Sequence, residues 1–267
     1  MTEKTWQYLN LQQAGNVLTV EFDSGNSVNS LNLALMEELT HLARDLQDNS
    51  QISAVILSGR RDTFTGGINL ADPALQAIRT ASVAEQRRAL QSGPRMCAAW
   101  ESLEQVTIAA VEGWCVGGGV VLAAACDWRV MSNAGAIYVP ELRLGMNMSW
   151  QSIPRLINLV GPSRTKQLLI LANPVDAATA EDWGLVDYCV PAGEVLAFAQ
   201  DLGRKVAEMP PVPVRMTKRA VNACANALSE ATSFMDADQF LLTQGMQDAA
   251  EGMAAFLEKR PPKFQGN

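Results

Sequence analysis

Residues 113–130 read GWCVGGGVVLAAACDWRV, a short apolar stretch, three consecutive glycines and an alanine-rich run. Glycine loses more backbone freedom on folding than any other residue, so three in a row inside regular structure need a reason. Two reasons fit the residues. Either neighbouring elements pack so closely that no Cβ is tolerated, or an oxygen of a ligand comes up against the main chain. A helix starting at the triplet would present unpaired N–H groups and a partial positive charge, held in place by the apolar run behind it. The spacing GxGxxG is absent and the preceding strand pattern lies mid-chain, which argues against a dinucleotide site.

Outward from the triplet, strand and helix patterns alternate. In VLTVEFD, residues 17–23, Leu18, Val20 and Phe22 fall on one face at period two and predict a strand. LALMEELTHLARDLQDN, from residue 33, carries Leu35, Leu39, Leu42 and Leu46 at helical spacing behind Asn32 as a capping residue. SAVILSG at 53–59 and VTIAAVEG at 106–113 are short, apolar and closed by glycine, as strands covered on both faces are. WRVM predicts a further strand, and residues 73–104 are mostly helical in pattern, with Asp72 as a cap. DAATAEDWG reads as a helix from Asp176 to a stop at Gly184, and GLVDYCVP as a strand ended by Pro191. The fold class is therefore α/β in layers. The expected division is an α/β core over residues 1–192 and a helical C-terminal region over 193–267, interrupted by MPPVPV at 209–214.

Composition bounds the function. The 267 residues are 48% hydrophobic and 18% charged, enough to bury a sizeable core. A net charge of −7 with scattered Lys and Arg leaves no nucleic-acid footprint. Five cysteines without CxxC spacing read as small buried hydrophobes in a reducing compartment. A single histidine, His41, falls on a solvated helix face, and without clustered ligands no transition-metal site is expected. The longest apolar run, Val116 to Cys126, is too short to span a bilayer, and the start MTEKTWQYLN lacks the pattern of a signal peptide. The expectation is a cytoplasmic protein with no membrane partner.

A second glycine turn, FTGGINL at residues 64–70, follows SAVILSG after Arg60 and Arg61. Two such turns behind two buried strands can aim two backbone N–H groups at one point, the geometry of an oxyanion hole. The pair FTGGINL and VEGWCVGGGVVLAAACDWRV resembles the crotonase family, the enoyl-CoA hydratase/isomerase group. The resemblance continues through VNSLNLALMEEL, AIYVPELRLGM, LVGPSRTKQLLILANPVDAATAEDWGLVDYCVP and GMAAFLEKRPPKF. It implies a ββα superhelix with a helical C-terminal trimerisation region, assembled as a homotrimer or homohexamer. It also implies acyl-CoA thioester substrates, coenzyme A entering as part of the substrate with no separate cofactor. The two amides would be those of Ile68 and Gly118. Gly66, Gly67, Asn69, Leu70 and Gly117 would shape the substrate site, and Lys259 would approach the CoA phosphates, with Arg61 and Lys263 as further cations.

The carboxylates decide between reactions. Enolate chemistry needs a base beside the thioester, and Glu141 in YVPELRLG matches the family's catalytic glutamate. Read alone, it would pass for a loop acid. Hydratases of the family usually carry a second glutamate in the pattern GGGxE, and here Val121 stands at that position. Valine can neither orient water nor carry a proton. A single glutamate suits removal of a proton from C2 of a 3-enoyl thioester and its return at C4. Trp150, in LGMNMSWQS, matches the bulky aromatic that some family isomerases carry. The expected activity is double-bond isomerisation; the alternatives are hydration by Glu141 alone and a catalytically silent acyl-CoA-binding protein. Asp127 is expected to have strand-end duty, and Ser149 is a candidate polar residue of the pocket.

Overall fold

The computed structural model describes residues 5–267. Its main sheet has six strands: β1 (Leu9–Ala14), β2 (Val17–Phe22), β3 (Ala54–Ser58), β4 (Val106–Val111), β6 (Trp128–Ser132) and β9 (Tyr188–Val190), neighbours in that order. A second sheet of three short strands, β5 (Trp114–Val116), β7 (Ala136–Tyr138) and β8 (Val175–Asp176), stands beside it. β1 and β2 form an antiparallel hairpin, and every later pairing in the main sheet is parallel. Parallel strands need long crossovers, and helices supply them: α1 (Leu33–Leu46), α2 (Pro73–Arg79), α3 (Val83–Ala89), α4 (Ser92–Glu101) and α5 (Gly118–Ala124).

β3 and β4 are buried along their whole length, and period two divides them between two cores. Val55, Leu57, Ala109 and Val111 join the larger cluster with α1, α4 and α5. Ala54, Ile56, Ile108 and Ala110 face the other way, under α8 (Val195–Ala207). Helix α8 lies beyond residue 192 and yet covers one face of the sheet. α1 starts where its cap predicts, with the Asn32 side chain accepting a hydrogen bond from the Leu35 N–H at 2.8 Å. Asp72 caps α2 and also accepts from the Leu33 N–H at 2.9 Å, tying the two helix starts together.

After α6 (Ser152–Lys166) and α7 (Ala177–Trp183), the C-terminal region comprises α8, α9 (Pro211–Ala225), α10 (Ser229–Ser233), α11 (Asp236–Gln244) and α12 (Gln247–Leu257). MPPVPV does not interrupt it as expected. Pro211 and Pro213 sit in the first turn of α9, where a missing N–H costs nothing, so the break is confined to residues 208–210. The cysteine expectation holds for Cys97, Cys115 and Cys126, which are buried and free, but Cys189 is half-buried and Cys224 exposed. Asp127 has its strand-end duty: Oδ2 accepts from the Thr107 N–H at 2.7 Å and pairs with Lys218 at 2.6 Å. Among the described residues no helix is long and apolar enough to cross a membrane.

Candidate active site

Residues 64–69 lie between two flanking segments that fix them residue by residue. On one side, Thr65 N–H donates to Trp114 O at 3.0 Å and Val116 N–H to Thr65 O at 3.0 Å, a parallel bridge to β5. On the other, Leu31 N–H donates to Gly67 O at 2.7 Å and Asn69 N–H to Leu31 O at 2.8 Å. Leu31 thereby uses the groups on either side of Ile68, so the N–H of Ile68 points to the opposite edge. Buried Asn29 holds the outer wall, its Nδ2 donating to Phe22 O at 3.1 Å and Phe64 O at 2.9 Å. Thr65 Oγ1 completes the turn, donating to Asn29 O at 2.6 Å and accepting from Gly67 N–H at 3.1 Å.

The triplet has a different explanation at each glycine. Gly117 has φ 53 and ψ −119, and a Cβ there would lie 2.6 Å from Glu141 Oε1. A Cβ on Gly118 would lie 2.5 Å from Cζ3 of the Trp150 indole, and one on Gly119 would overlap the Thr65 methyl. The space left by the missing side chains is filled by the protein itself. Close packing, rather than a ligand's approach, accounts for the three glycines. The amides are a separate matter. Gly117 N–H donates to Tyr138 O at 2.8 Å, whereas the N–H groups of Gly118 and Ile68 have no partner among the described residues.

These unpaired donors border a cavity of about 320 Å³. Of the residues expected at a substrate site, Gly66, Gly67, Ile68, Leu70, Gly117 and Gly118 line it, as do Glu141 and Trp150. Ser149 lines it too. Val121 does not: it is fully buried in the main core cluster. Asn69 is also outside the lining, its Oδ1 accepting from the Ala71 N–H at 3.1 Å as a turn former. Lys259 lies just past α12 with φ 54 and does not line the cavity; among the described residues Arg79 is the cation that does. Arg61 borders a separate polar cavity with Glu112, whose Oε1 accepts the Gly193 N–H at 3.0 Å.

Glu141 is the one carboxylate among the described residues lining this cavity. It opens a short 3₁₀ turn, Glu141–Leu144, closed by left-handed Gly145. The residue is half-buried, but its Oε2 is sealed from solvent and has no hydrogen-bond partner. Burial pushes the carboxyl up to about 7, against a hydrogen bond from its own N–H that lowers it. A buried oxygen without a partner is costly in a structural role and expected of a group that exchanges protons. Much of the rest of the wall is apolar, with Leu75, Ile78 and Leu90 from the α2–α4 segment and Met146 and Met148 after the turn, beside the polar Gln86, Tyr138 and Ser149.

The C-terminal helices also reach the site, through side chains with no signal of their own in the sequence. Phe240 and Gln244 of α11 and Phe256 of α12 line the cavity. α12 is pressed against the Glu141 turn so tightly that a Cβ on Gly252 would lie 2.5 Å from the Leu144 carbonyl carbon. Among the described residues no three His, Cys, Asp or Glu side chains gather as a metal site would require.

The sequence profile for enoyl-CoA hydratase/isomerase matches residues 12–267. The chain belongs to the enoyl-CoA hydratase/isomerase family. It is 31% identical over 264 residues to a probable enoyl-CoA hydratase of Mycobacterium bovis, covering 97% of this chain and 98% of that protein. A short-chain-enoyl-CoA hydratase of Clostridium acetobutylicum is 28% identical over 257 residues, with 96% of each chain covered. Among solved structures, an enoyl-CoA hydratase/isomerase from Pseudoalteromonas atlantica superposes with a TM-score of 0.86 at 25% identity, covering 97% of this chain and 100% of that one. The α/β architecture with its helical C-terminal region is thus the crotonase fold of this family.

Proposed function

We propose that this family member isomerises an enoyl-CoA thioester, moving a double bond from position 3 to position 2. The carrying observation is a lone carboxylate, Glu141, in an apolar cavity that also holds two unpaired amides. The thioester oxygen accepts hydrogen bonds from the N–H groups of Ile68 and Gly118. Glu141 takes a proton from C2, the electron pair delocalises onto that oxygen as a dienolate, and the same carboxyl returns the proton at C4. Atoms and electrons balance without a cofactor; coenzyme A is the handle of the substrate. A carboxyl titrating near 7 is suited to both halves of this transfer. Oxyanion donors of this kind are worth about 3–4 kcal/mol each in the transition state.

Hydration is the second reading, favoured by relatives that carry hydratase names. Against it stands Val121, buried and without a proton to give, where a second carboxylate would share the water. Purified protein incubated with 3-enoyl-CoA and, separately, with 2-enoyl-CoA distinguishes the two. The proposal expects conjugated thioester from the first and no 3-hydroxyacyl product from the second. Fast hydration of the 2-enoyl thioester without double-bond migration overturns it. Exposed apolar side chains on α9–α12, among them Met216, Phe234 and Leu242, support assembly as a homotrimer or homohexamer.

A further inference from the structure

Trp150 and Gln151 both have left-handed backbones, with φ of 66 and 57. Side chains resist that conformation, and it persists in non-glycine residues only where the surroundings over-determine it. Here they do. Arg155, almost fully buried, donates from Nη1 to Trp150 O at 2.7 Å and to Gln151 O at 3.2 Å. Its other donors grip Glu101 at 3.0 and 2.9 Å. Asp236, on α11, accepts the Gln151 N–H through Oδ2 at 2.5 Å and a hydrogen bond from Ser149. The indole so held lies between two helices. A Cβ on Gly93 of α4 would overlap its pyrrole half, and a Cβ on Gly118 of α5 would lie 2.5 and 2.6 Å from Cζ3 and Cη2 of its benzene half. Its far side packs on the main core cluster.

This aromatic plate, wedged between α4 and α5, forms part of the cavity wall beside Gly118, whose amide is unpaired. The enclosed volume, about 320 Å³, is at the small end of ligand pockets. We propose that Trp150 sets the acyl-chain length, restricting the substrate to short acyl groups, and that Asp236 is the positioning residue that holds it in place. This rests on the enoyl-CoA reading above.

Saturated butanoyl-, hexanoyl-, octanoyl- and decanoyl-CoA test it by calorimetric titration, because they bind without turnover. In the unaltered protein, affinity is expected to fall about tenfold for each methylene beyond the wall. Trp150→Ala should restore binding of the two longer thioesters by at least about tenfold while changing butanoyl-CoA far less. Asp236→Asn should move the length profile the same way by a smaller factor, a change of ratio that general loosening would not give. Trp150→Phe, a smaller ring in the same seat, supplies the second variant if the alanine protein fails to fold, and should extend the accepted chain by a shorter step. An unchanged length profile in the Trp150 variants overturns this inference alone. Failure of the unaltered protein to bind any acyl-CoA defeats it together with the reading it rests on.

Discussion

In the proposed reaction Glu141 moves the proton, and its burial has measurable consequences. Glu141→Gln keeps the shape but cannot shuttle a proton, so turnover should fall by about 10²–10⁴-fold, measured with 3-enoyl-CoA. The carboxyl ionises near 7 when folded against an ordinary 4.5 when unfolded. Between those values the unfolded chain has released its proton and the native one has not, so this group's contribution to stability falls as pH rises through the window and is flat above it. Glu141→Gln should therefore stabilise the protein at pH 8, by up to about 3 kcal/mol, with little effect below pH 4.5; denaturant titrations at the two pH values check this. The acid-side limb of the kcat/KM–pH profile, along which activity rises as Glu141 loses its proton, should accordingly lie near neutrality. Gly117→Ala should cost about 1–3 kcal/mol for the positive φ alone, and it also drives a methyl into the Glu141 carboxylate. Activity should fall further than folding does.

Among the elements, α2 and α3 cover the cavity without burying a single residue of their own. Their link to the C-terminal helices is the ion pair of Arg87 with Asp238 of α11, 2.6 Å apart and largely exposed. Segments held by few buried contacts open first. Arg87→Ala should raise amide exchange over residues 73–90 and leave the global Tm nearly unchanged, as measured by mass spectrometry and calorimetry. α1 behaves differently, since its leucine stripe is fully buried in the main core. Removing its cap with Asn32→Ala should lower global stability by about 1 kcal/mol while kcat/KM stays as it was. The same contrast decides what the sequence reveals. α1, β2, β3 and β4 are long enough and periodic enough to be legible, because each lays a regular apolar face on a core. β5, β7 and β8 have three residues or fewer, too short for any period to develop, and the edge strand β1 (LNLQQA) commits only Leu9 and Leu11 to the core.

For the molecule as a whole, the site is assembled from segments that no local signal connects. The two turns and Glu141 are legible through resemblance to a family, and their cavity lining agrees with it. The left-handed Trp150–Gln151 pair is not legible, because non-glycine residues announce no positive φ, and its cause lies in Arg155 together with Asp236 and Gly93, the last two distant in sequence. Contributions from α11 and α12 are hidden for the same reason: Phe240 and Phe256 look like any other apolar residues of a helical tail. Together these parts set one carboxyl and two unpaired amides around one cavity. A substrate dideuterated at C2 puts that arrangement to trial. One acid serving both carbons delivers deuterium from C2 to C4 of the 2-enoyl-CoA product, detectable by mass spectrometry and NMR. A product whose C4 has gained only solvent hydrogen, or one that carries a hydroxyl group at C3, contradicts the account.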